Sequence, residues 1–146
     1  MIGKLISFLA ERKYLVYTLF IAITVVTLAL TLMPPDNFQN TRLFSYDKIG
    51  HFLMFFGWSF MLGFSIILYS RKDAPLLFIF VAGTMFGIAI EYLQEMLSFG
   101  RTASMSDAAA DSAGTLFAVL LLWWIKTKYR KHLRPIFKNG EAVDGR

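Results

Sequence analysis

The feature that most constrains this chain is a stretch of twenty residues, 14–33, without a single charge: YLVYTLFIAITVVTLALTLM. About 20 apolar residues of helix cross a hydrocarbon core of roughly 30 Å. Three more apolar runs follow at residues 51–69, 76–97 and 107–125. The third is interrupted near its end by Glu91, Gln94 and Glu95, and the fourth is polar at its start and apolar afterwards. Only helices and closed barrels satisfy the backbone in lipid, and these runs lack the period-two alternation of barrel strands. A soluble helical bundle would need polar faces that the first two runs do not have. Charged residues make up 17% of the chain, against about 25% in a typical soluble domain. The expected fold is therefore all-α: a polytopic membrane protein with four transmembrane helices and one domain over residues 1–146. The absence of Cys excludes a disulfide scaffold, a Cys-ligated zinc site, an iron–sulfur cluster and thiol catalysis.

The first run follows Lys4, Arg12 and Lys13, as a signal peptide would, but it exceeds the usual h-region of roughly 7–15 residues and no small-x-small site precedes Pro34. It is expected to remain as a helix that Pro34 and Pro35 bring to an end. Twelve of the fifteen Lys and Arg residues fall in the N-terminal segment, in the turn at Arg71 and Lys72, and in a basic tail at 126–146. Only Arg42, Lys48 and Arg101 lie in the other two loops. The positive-inside rule then puts both termini and the second loop in the cytoplasm. The net charge of +5 is thus topology and contact with anionic lipid rather than a nucleic-acid footprint.

On this topology every embedded charged group belongs to the outer side. Asp47, Lys48 and His51 open the second helix, Glu91, Gln94 and Glu95 close the third, Arg101 is in the outer loop, and Asp107 and Asp111 open the fourth. Asp47/His51 and Asp107/Asp111 are i,i+4 pairs, and Gly83 and Gly87 continue into Glu91 at the same spacing, a small-residue stripe of the kind that lets helices approach closely. Glu91 lies about 9 Å below the outer end of its helix at 1.5 Å per residue. A carboxylate at the bilayer centre costs about 2.5–3.5 kcal/mol on insertion scales, so an embedded one is a functional-site hypothesis by default. The plainer roles are structural: Glu91 as interhelical glue, Asp107 as the cap of the fourth helix, Arg101 as a headgroup anchor.

The order Asp47-Lys48-x-x-His51-Phe52, then Glu91-x-x-Gln94, then Arg101, then Asp107-x-x-x-Asp111-x-x-Gly114 resembles the VanZ-like family of small four-helix bacterial membrane proteins. The resemblance runs from about Asp47 to Ala118 and departs at Asp111, where the family pattern often carries Asn. The family takes its name from an accessory protein of glycopeptide-resistance clusters associated with low-level teicoplanin resistance. The resemblance implies an envelope protein of the bacterial inner membrane but brings no settled mechanism, substrate or cofactor.

Four readings of the polar cluster stand beside one another. The first is a binding site, built from Asp47, Lys48, His51, Glu91, Gln94, Arg101, Asp107 and Asp111, for an amphiphilic partner: a membrane lipid, a lipid-linked wall precursor or a glycopeptide antibiotic. The second is an enzyme acting on an envelope lipid, with His51, Glu91 and Asp111 as candidate catalytic acid/base groups. No serine elbow, HExxH or phosphate loop accompanies them, and Ser104 and Ser106 near the acids are the only plausible hydroxyl nucleophiles. The third is a divalent cation on Asp47, Asp107, Asp111, Glu91 and His51. The fourth is a structural subunit of a larger complex. No cofactor is implied, no residue is assigned as a metal ligand, and the oligomeric state is left open.

Overall fold

The computed structural model describes residues 8, 12–32, 47–70, 75–97 and 103–128. Its long elements are four helices: α1 (Lys13–Leu32), α2 (Asp47–Ser70), α3 (Leu76–Met96) and α4 (Met105–Lys128). Each contains a span long and apolar enough to cross a membrane, and there is no strand among the described residues. Large apolar side chains stand exposed along all four, among them Leu19, Val25, Leu53, Leu77, Met85, Phe117 and Leu120. An all-round apolar exterior on a small bundle suits a lipid surround and not water. The chain is a multi-pass membrane protein.

Two helices run longer than the apolar runs alone suggest. α2 begins at Asp47 and α4 spans Met105–Lys128. Hydropathy marks the part of a helix that lies in hydrocarbon, whereas polar first and last turns extend it beyond. The basic tail from 129 onward, the segment 33–46, the turn 71–74 and Arg101 lie outside the described residues.

The packing is led by α2 against α4, with α3 against α4 and α1 against α2. Gly114 explains how closely α2 and α4 meet: a Cβ there would run into the main-chain carbonyl of Phe52. Near the other end of the helices, Ile67, Ile79 and Leu122 from α2, α3 and α4 form an apolar cluster. Aromatic rings fill the middle, where Trp58 stacks on Phe86 at 4.6 Å between centroids and meets Phe20 of α1 at 5.7 Å.

Candidate functional site

At one end of the bundle α2 begins, α3 ends and α4 begins. Polar residues there are forced inward because the outer faces are apolar, and each sits on a stripe spaced by four. On α2 the buried stripe is His51, Phe55, Ser59 and Gly63; on α3 it is Ile79, Gly83, Gly87 and Glu91; on α4 it includes Asp111 and Thr115. The stripes face one another, so His51, Glu91 and Asp111 converge. Their exposures are 3%, 5% and 0%.

His51 Nδ1 and Asp111 Oδ1 are 2.9 Å apart. Facing a carboxylate oxygen, Nδ1 carries the proton and donates it, which sets the tautomer and the ring's orientation. Glu91 comes from the opposite side: one donor atom from each of His51, Glu91 and Asp111 lies within 4.8 Å of the other two. Glu91 Oε2 accepts the main-chain N–H of Ser104 at 2.7 Å. Its Oε1 is buried and has no hydrogen-bond partner among the described residues. Gly87 makes room on the inner side of the group, since a Cβ there would stand 2.8 Å from Asp111 Cβ and 2.9 Å from its Oδ2.

One turn further in, Ser59 Oγ donates to Thr115 Oγ1 at 3.0 Å, and a Cβ on Gly83 would strike both hydroxyl-bearing side chains. Neither Ser59 nor Thr115 stands out as a polar cluster in the chain. Their signal is positional, four residues from Asp111 and eight from His51 along buried stripes.

Of the other residues expected at the site, Gln94, Lys48 and Asp107 are described, and none belongs to this triad. Gln94 is buried, but its Nε2 donates to the carbonyl of Thr31 at 2.7 Å, on the last turn of α1. α1 is thereby tied to α3, and Trp58 Nε1, donating to Thr24 Oγ1 at 3.0 Å, ties it to α2 as well. Lys48 is exposed at the start of α2. Asp107 is half-buried in the first turn of α4 and does not belong to the three-residue group. Nor does it cap that helix: Ser104 does, with its Oγ accepting Asp107 N–H at 3.3 Å and its carbonyl accepting Ala108 N–H at 3.1 Å. A Ser hydroxyl three residues ahead reaches the free N–H groups of the first turn better than a residue already inside it. Ser104 Oγ also bonds Ser106 Oγ at 2.8 Å. Asp47 is the first residue of α2; its side chain, like Arg101, lies outside what is described.

Comparison with known proteins supplies one match. The family model described as VanZ/LLP1 covers residues 3–126. No curated protein and no solved structure matches the chain.

Proposed function

The chain belongs to the VanZ/LLP1 family, and on that footing we propose that it is a bacterial envelope protein that engages the polar head of an amphiphilic molecule at the His51–Glu91–Asp111 end of the bundle. The partner class is an envelope lipid, a lipid-linked wall precursor or a lipoglycopeptide, and the outcome is low-level protection against teicoplanin-type drugs. The observation that carries the reading is the buried pairing of His51 with Asp111 at 2.9 Å, with Glu91 beside it, inside helices whose outer faces are apolar. Carboxyl groups inside a membrane bundle are costly, and residues that carry them mark functional sites by default. Acyl chains would lie against the exposed apolar sides, while Lys48 and Asp107 at the rim meet the head and the triad forms its floor.

The test is drug susceptibility at matched membrane abundance. Glu91→Gln keeps size and removes the charge, so it should express and insert normally yet abolish protection. Full protection in Glu91→Gln assigns Glu91 to helix packing and ends this reading.

A second reading has its own observation. An imidazole oriented by a buried carboxylate is the arrangement of a general base, and Glu91 supplies a third proton-carrying group within reach. Turnover of an envelope lipid by the purified protein, lost in His51→Gln, would move the function from binding to acid/base chemistry.

A further inference from the structure

The geometry points to a divalent metal ion held by His51, Glu91 and Asp111. One ligand atom from each already lies within 4.8 Å of the others. Ligands about 2.0–2.2 Å from a common ion stand about 3–4 Å apart, so a slight inward movement completes the set. The 2.9 Å between His51 Nδ1 and Asp111 Oδ1 is already a separation that two neighbouring ligands can take. On binding, the ion takes the place of the Nδ1 proton while Nε2 takes up a proton from solvent, so the imidazole stays neutral.

The independent observation is Glu91. It is 5% exposed, and Ser104 N–H anchors Oε2 at 2.7 Å. Oε1 remains buried with no hydrogen-bond partner among the described residues. A main-chain donor on one oxygen fixes the carboxylate as an outer-shell contact fixes a metal ligand. The other oxygen is an acceptor in want of a positive partner, on a residue that faces His51 and Asp111. Leaving such an acceptor unmet carries a desolvation penalty that is larger for a charged group.

Charge selects the valence. Two carboxylates bring −2 and a neutral imidazole brings nothing, so a divalent ion makes the assembly neutral. An imidazolium would leave −1 inside an apolar bundle, where uncompensated charge is disfavoured. One nitrogen with two oxygens is a mixed donor set suited to Zn²⁺ or Mn²⁺. Asp107, one turn away and outside the three-residue group, adds acidity near the rim rather than a ligand. This inference goes beyond the lipid reading and does not depend on it, because metal content and drug susceptibility are separate measurements.

The test uses the full chain in nanodiscs, stripped with chelator and titrated with MnCl₂ and, separately, ZnCl₂. One ion per chain is expected, with a raised unfolding temperature that chelator reverses. The electron spin resonance of bound Mn²⁺ should carry a nitrogen coupling that vanishes in His51→Gln. Glu91→Gln should bind at least tenfold more weakly, and Glu95→Gln, at an exposed neighbour, should bind as the wild type does. The wild-type measurement stands even where a variant fails to insert. A wild type that takes up no ion overturns the proposal. So does a bound Mn²⁺ without nitrogen coupling, or undiminished binding in Glu91→Gln. Uptake confined to Arg101→Ala also overturns it, since the guanidinium would then hold the place assigned to the metal.

Discussion

His51 and Asp111 are separated by sixty residues of chain, yet Nδ1 of one meets Oδ1 of the other at 2.9 Å with both side chains buried. The contact joins the second turns of α2 and α4, the two helices that pack most extensively. It therefore contributes to holding the bundle end together as well as to any chemistry. A double-mutant cycle separates the two roles. His51→Gln and Asp111→Ala should be non-additive in stability by about 0.5–3 kcal/mol. Asp111→Asn, which keeps an acceptor for the imidazole N–H, should cost less than Asp111→Ala. Unfolding in detergent measures all of these, and strict additivity would show that the two side chains merely lie near each other.

Two glycines should respond differently to one added methyl. At Gly114 the obstacle is the Phe52 main chain, which cannot swing aside, so Gly114→Ala should force α2 and α4 apart and destabilise the protein by about 1–3 kcal/mol. At Gly87 the clash is milder, with Asp111 Cβ at 2.8 Å and Oδ2 at 2.9 Å, and of these the carboxylate can turn away while Cβ is fixed by its helix. Gly87→Ala should leave the unfolding temperature closer to wild type while lowering protection against drug and metal binding together. Equal losses of stability at both sites would contradict this.

The inner polar pair offers a contact that can be trapped without touching the triad. Ser59 and Thr115 oxygens are 3.0 Å apart, so cysteines at the two positions should form a disulfide on mild oxidation in membranes. A gel shift after cleavage of an engineered site between the helices reads it out. No cross-link would mean that α2 and α4 are turned relative to each other.

Orientation is testable by labelling. Cysteines at Arg42 and Thr102 should react with impermeant thiol reagents in intact cells, and those at Lys72 and Lys138 should not, as the distribution of basic residues requires. Labelling of Lys138→Cys from outside would invert the protein and move the triad to the cytoplasmic side.

The four-helix fold was legible because lipid asks for apolar residues on the outside, and long uncharged runs have few other uses. The start of α2 was legible in the Asp47–His51 spacing, whereas the start of α4 was less so, because its cap, Ser104, stands in a polar segment that hydropathy does not register. Within the cluster, the spacing Gly83, Gly87, Glu91 marked the inward face of α3, and Asp111 stood out as the i,i+4 neighbour of Asp107. Gln94 shows the limit of such reasoning. Three residues from Glu91 is about 300° around a helix, so the two side chains diverge by roughly 60°. That is enough to send one towards α4 and the other to the Thr31 carbonyl of α1. Which neighbour receives a residue near the edge of a stripe depends on tertiary placement.

The anchor of Glu91 is a peptide N–H, and nineteen of the twenty amino acids would present the same N–H at position 104. An alanine scan would pass over it, and relatives can carry any residue there except proline without losing it. What the contact does demand is distance along the chain: thirteen residues separate Glu91 from Ser104. Adding or removing one residue between α3 and α4 should damage the site more than most replacements within that connection, so the loop is constrained in its length where it is free in its letters.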